Sequence, residues 1–97
     1  MLNFGGHSMR AVITVIGKDQ VGICAKVSTL CAEHNVNINA VSQNIFEDLF
    51  CMVMLVETDG LDIPFGDFAD LLAAEGKKSG LDIHAMHEDI FNAMHKI

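Results

Sequence analysis

The chain has no tryptophan and no tyrosine, one proline (Pro64) and one arginine (Arg10). Lys and Arg together number 6 against 13 Asp and Glu, giving a formal net charge of −7 and a pI near 4.9. A phosphate backbone is held mainly by Lys and Arg, so this balance argues against nucleic-acid binding. The aromatic fraction is 6%, all of it phenylalanine. No apolar run approaches the 18 residues of a membrane span, and no charged-then-apolar leader precedes a cleavage site. The three cysteines, Cys24, Cys31 and Cys51, form no Cys-x-x-Cys pair, and each sits inside an apolar pattern. They read as reduced structural thiols, which fits a cytoplasmic location.

What is present is apolar: half of the 97 residues are hydrophobic, enough for one domain with a core. A chain this short buries a modest share of its surface, so oligomerisation is an expected aid. Residues 1–8, with Gly5-Gly6-His7-Ser8 before Met9, read as a tag or linker remnant, leaving 9–97 as the domain. The first strand is expected at about 10–17 and a helix from about Val21 to His34, with Ile23, Val27, Leu30 and Cys31 on its buried stripe. Asn35 suits the left-handed position after that helix. Asn37–Phe46 reads as a second strand, Glu47-Asp48 as a tight turn, and Leu49–Glu57 as a nearly all-apolar third strand, central or covered on both faces. Pro64 opens a second helix with Phe65, Phe68, Leu71 and Leu72 on one face. It stops near Gly76–Gly80, with Lys77 and Lys78 suited to its C-terminal dipole. Leu81–Glu88 reads as a fourth strand, and the segment from Ile90 as a short helix that must pack on something.

The order β-α-β-β-α-β is that of the α+β, ferredoxin-like fold. It predicts a four-stranded antiparallel sheet with both helices on one face, the other face bare, and a short C-terminal helix. Several functions share this fold. A copper chaperone needs two thiolates in the first strand-helix loop, and this loop has none. An RNA-binding sheet needs exposed aromatics on its central strands, and only Phe50 is there. An acylphosphatase-like enzyme needs a fixed cation in that loop; Lys18 is the one available, a flexible point charge, and this stays a minor alternative. His84 and His87 are three apart on a strand and point to opposite faces, so they make no joint metal site. His34 and His95 suit helix C-termini. No nucleophile-base constellation follows from the spacing, and no metal or cofactor is called for.

The chain is organised around Gly17-Lys18-Asp19-Gln20-Val21-Gly22, a loop from strand end to helix start. Its two glycines permit a positive φ or a close approach, and Asp19 is an acceptable cap or near-cap. The free N–H groups of the first helical turn favour an anion there.

The segment from Val12 to Ile23, followed by Val27-Ser28, Leu30 and Ala32-Glu33-His34-Asn35-Val36-Asn37-Ile38, resembles an ACT domain. The likeness extends from Arg10 to Ile97 and is to small stand-alone prokaryotic ACT proteins, related to the ACT units of the glycine cleavage system repressor. The tail Glu88–His95 resembles the same group. This resemblance implies a non-catalytic regulatory domain that binds a small molecule, most often an amino acid, between two subunits of a dimer. By position it implies a site of Asp19, Gln20, Val21, Gly22 and Ile23 from one subunit with Asn37, Ile38 and Asn39 from its neighbour. A separate regulated protein is a further expected partner. The plainer alternative is a dimeric interaction module without ligand. Asp19 is then a cap, Gly22 a packing residue, and the asparagines a turn and a polar strand edge.

Overall fold

Alternation along the first strand decides how the sheet is used. In β1 (Arg10–Lys18), Ala11, Ile13 and Val15 are fully buried, while Arg10, Ile16 and Lys18 are exposed. Each buried residue lies opposite a buried residue of β3 (Leu49–Glu57): Ala11 against Val56, Ile13 against Met54, Val15 against Met52. Successive side chains point to opposite faces, so one face is core and the other open. The structure, a computed structural model, describes residues 9–18 and 22–94.

The remaining elements are α1 (Ile23–Glu33), β2 (Asn37–Phe46), α2 (Phe65–Ser79), β4 (Asp82–His87) and α3 (Glu88–Met94). The sheet order is β2-β3-β1-β4 with every neighbouring pair antiparallel, the expected ferredoxin-like arrangement. Helix α1 buries Ile23, Val27 and Cys31, and α2 buries Phe68, Leu72 and Gly76, each set spaced by four so that it forms one stripe. Both stripes enter one cluster with the core side of β1 and β3. Burying such a set supplies most of the stabilisation, at about 25 cal/mol per Å² of apolar surface removed from water.

Both helices end by the same device. After α1, Asn35 takes φ 61, its N–H donates to the Ala32 carbonyl, and the Val36 N–H donates to the Cys31 carbonyl at 2.8 Å. After α2, Gly80 takes φ 72 and the Leu81 N–H donates to the Gly76 carbonyl at 2.8 Å. These paired bonds satisfy carbonyls that the helices leave open. They also explain two boundary differences. His34 is the cap of α1 rather than its last helical residue, and Leu81 closes α2 rather than beginning β4. At the other end, α1 begins at Ile23 rather than Val21 because Gly22 is left-handed. The Glu47-Asp48 turn is as expected, a two-residue link with Glu47 at φ 59.

Two expectations need adjustment. Strand β3 is central, as expected; its core face is covered, and Leu49 and Val53 on the other face are exposed. The face opposite α1 and α2 is not wholly bare. Val12 lies on it, yet is 4% exposed, and α3 packs against β1 and β4. The Glu88 carboxylate at the start of α3 accepts from Arg10 Nε at 2.9 Å and Nη2 at 2.6 Å, anchoring the helix to that corner. Finally, His34 does more than complement a dipole: its Nδ1 lies 2.8 Å from Asp62 Oδ1, and its ring meets Phe68 edge-on at 6.0 Å. The expectations for residues 1–8 and for His95 fall outside the described residues. Among the described residues no helix is long and apolar enough to cross a membrane.

Candidate functional site

Two glycines frame the loop between β1 and α1, and they are needed for different reasons. Gly17 stands in β1 opposite Phe50, and a Cβ there would collide with the Leu81 side chain. It allows close packing. Gly22 has φ 85 and ψ 2, and a Cβ there would meet nothing within 4 Å. Its requirement is conformational, which corrects the reading of Gly22 as a packing residue. Gly22 also holds the cap position of α1, with no side-chain cap hydrogen bond; its carbonyl accepts the first helical bond from the Lys26 N–H at 3.0 Å. Helix α1 has no acidic residue in its first turn. The amides at Ile23 and just after it therefore form a helix N-terminus that no side chain among the described residues caps, at the sheet end where β1 finishes. Asp19, Gln20 and Val21 lie outside the described residues. The cap position itself belongs to Gly22, not to Asp19.

The second half of the expected site begins β2. Asn37 is opposite Glu57 and Ile38 opposite Val56, but the next pair is Ala40 with Leu55. Asn39 is thus a bulged residue, without a register partner, in an otherwise regular edge strand. The Asn37 side-chain N–H donates to Asn39 Oδ1 at 3.1 Å, fixing the two exposed amides against each other. Ile38 is half-buried against the core. Asn37 Oδ1 can accept further, and the two N–H groups of Asn39 Nδ2 and the second N–H of Asn37 Nδ2 can donate.

The two halves are far apart within one chain. Lys18, at the loop end of β1, pairs with Leu49, whereas Asn37 pairs with Glu57 at the other end of β3. Eight residues of strand separate those positions, about 27 Å at about 3.4 Å per residue. Gly22 and Ile23 therefore do not meet Asn37, Ile38 and Asn39 in a single subunit.

Elsewhere, an open groove of about 370 Å³ lies between α2 and β4, with Asp70 and Lys77 on the helix and Asp82 and His84 on the strand. The sequence reading missed it; Ala73 and Ala74, the small residues on its helical wall, were the available signal. His84 pairs with Thr14 and His87 with Ala11, on opposite faces as their spacing predicts. His87 stacks on Phe65 with ring centroids 4.3 Å apart. Among the described residues no three His, Cys, Asp or Glu side chains come together as a metal site. All three cysteines are free. Burial pushes the Cys31 thiol up to about 11, so it stays protonated and inert at neutral pH.

A family profile described as the ACT domain matches residues 9–85. A UPF0237 protein of Methanopyrus kandleri is 46% identical over 88 residues, 91% of this chain and 98% of that protein. Among solved structures, an ACT domain protein from Streptococcus pneumoniae matches with TM-score 0.76 and 35% identity, over 92% of this chain and 100% of that one. A putative glycine cleavage system transcriptional repressor shares the fold, with TM-score 0.69 and 24% identity, over 82% of this chain and 46% of that one.

Proposed function

The chain belongs to the ACT domain family, whose members are regulatory ligand-binding domains, and we propose that it works as a homodimer sensing an amino acid or similar small carboxylate. It acts in the cytoplasm and without catalysis. The observation that carries this reading is the separation of about 27 Å between two complementary half-sites. One half is a helix N-terminus that no side chain among the described residues caps, suited to a carboxylate. The other is a pair of fixed asparagine amides. Only a second copy brings them together.

The β2 edge suits that second copy. Asn37–Phe46 contains no charged residue and no proline, the usual devices that keep an exposed edge from pairing. Antiparallel pairing of two β2 strands about a two-fold sets the Asn37 end of one beside the Phe46 end of the other. That is also the end at which the partner's β1 runs into its loop, because Phe46 and Lys18 both pair with Leu49. A ligand carboxylate would then meet the α1 amides, while its ammonium is held by Asp19 or an asparagine oxygen. Ligand at the interface favours one dimer geometry, and a separate protein reads it.

The Asn37–Asn39 bond favours a second reading, a ligand-free interaction module, because it already ties the two amides to each other. A thermal-shift panel of the twenty amino acids and simple nucleotides separates the two. Ligand at about a hundred times its Kd adds about 2.7 kcal/mol, which raises the Tm of a domain this size by roughly 10 °C. A selective hit supports the sensor; a flat panel supports the module.

A further inference from the structure

The groove between α2 and β4 lies along a sheet edge. In the order β2-β3-β1-β4, β4 pairs with β1 on one side and, among the described residues, with no strand on the other. Ile83 is opposite Val15 and turned to the core, so its neighbours Asp82 and His84 are turned to the other face. All three nevertheless line the same groove, which only the free edge of the strand allows. Every second residue of β4 points its N–H and C=O away from β1 and into that space. The opposite wall is one face of α2, since Asp70, Ala73, Ala74 and Lys77 follow at spacings of three, one and three. Ala73 and Ala74 are exposed there, while Leu81 and Ile83 supply buried apolar surface. Among the described residues none of Asp70, Lys77, Asp82 and His84 has an ion-pair partner, so no salt bridge ties the two walls together.

We infer that this edge docks an extended, basic segment of a partner protein, which joins the sheet as a further strand beside β4. The inference rests on the proposed function only for the existence of a separate protein, not for the ligand. An extended segment is called for because the outward main-chain groups of β4 are spaced for another strand. Its side chains must alternate between two surroundings. Those turned toward α2 meet Ala73 and Ala74 and suit small or β-branched apolar groups; those on the other face stand beside Asp82 and His84. Asp82 on the strand and Asp70 on the helical wall select lysine or arginine, and the net charge of −7 favours the same partner. Lys77 stands beside Gly76, where helix and strand touch, and so at the end of the groove.

A second copy does not fit this edge. Helix α2 lies over β4: Phe65 stacks on His87 at one end, and Gly76 reaches Leu81 and Ile83 at the other. Antiparallel pairing of two β4 strands about a two-fold would keep both α2 helices on one face. The strands would stand about 4.8 Å apart, whereas packed helices need about 8–10 Å. A segment without a helix of its own meets no such obstacle. Because β2 is the opposite edge, the grooves of a β2-paired dimer both stay open.

Random peptides of about nine residues, displayed on phage and selected against the full chain, test this. The selected peptides should alternate small or β-branched residues with lysine or arginine. They should bind Ala74→Arg about tenfold more weakly, because the new side chain fills the groove from an exposed position and repels their charge. Bound peptide should slow hydrogen exchange, followed by NMR, at alternate amides of Asp82–His87 and leave those of β2 unchanged. Methylating alternate peptide nitrogens should abolish binding in one phase of the alternation and spare it in the other. Selection of acidic peptides, equal binding to Ala74→Arg, or β4 amides that exchange as before each overturn the site, as does a selection that enriches nothing. A sedimentation mass that Ala74→Arg halves gives the groove to a second copy and overturns it too. None of these outcomes bears on the amino-acid panel, so the sensor stands or fails separately.

Discussion

Gly17 and Gly22 lie five residues apart at one end of the sheet, and the same substitution should affect them differently. Alanine at Gly22 finds open space but must hold a left-handed φ, so it should cost about 1–2 kcal/mol. Asparagine there should cost less. Alanine at Gly17 has an ordinary φ but must displace Leu81, an overpacking cost of about 1–3 kcal/mol. Urea unfolding with the asparagine variant at each position separates the causes: Asn should rescue position 22 and worsen position 17. Cys31 gives a second residue-scale prediction. Its folded pKa, about 11, lies above the 9.0 of an ordinary thiol, so the unfolded chain releases the proton first as pH rises. The stabilisation is complete below pH 9 and is lost as pH rises through 11, an effect on the order of 2 kcal/mol. Unfolding midpoints across that window should fall more in the natural chain than in Cys31→Ala. The sequence made the presence of these residues legible but not their reasons. A glycine in a strand-helix loop looks the same whether it serves φ or packing, and the difference depends on Leu81, sixty-four residues away from Gly17.

At the scale of elements, the clearest dependency is between α2 and β4. A Cβ at Gly76 would lie 2.7 Å from the Leu81 carbonyl oxygen and 3.0 Å from Ile83 Cγ1. Gly76→Ala should therefore push α2 off the strand, for about 1–3 kcal/mol despite the better helix propensity of alanine. Denaturant unfolding beside an exposed helical control such as Gly66→Ala measures it; Gly66 has open space around it. The elements themselves were readable because their apolar periods are regular. Strands β2 and β3 fall at the expected residues, and the helices differ only at their ends. Those ends are decided by left-handed caps, where one backbone torsion outweighs the apolar pattern. The bulge at Asn39 was not legible, since a polar strand leaves its register to its neighbour. Nor was the covering of Val12 by α3, which depends on the Arg10–Glu88 pair across 78 residues.

For the whole molecule, the account rests on a division of labour between copies. In the function proposed, one chain supplies the end of a helix and another supplies two asparagines, because the sheet keeps them about 27 Å apart in each. The sequence put Gly22 and Ile23 at a strand-helix junction and Asn37, Ile38 and Asn39 at the start of a strand, where the structure has them, and the strand register supplied the distance between them. Mixed dimers test this most directly. With the amino acid that gives the largest thermal shift, Asp19→Ala and Asn39→Ala should each abolish binding by calorimetry while remaining dimeric. Subunits mixed in equal amounts and allowed to exchange should regain about one quarter of the natural binding capacity, since half of the dimers are mixed and each holds one intact site. Recovery of that fraction is the result predicted. A mixture as inactive as its parents, with exchange of subunits demonstrated, would contradict the shared site.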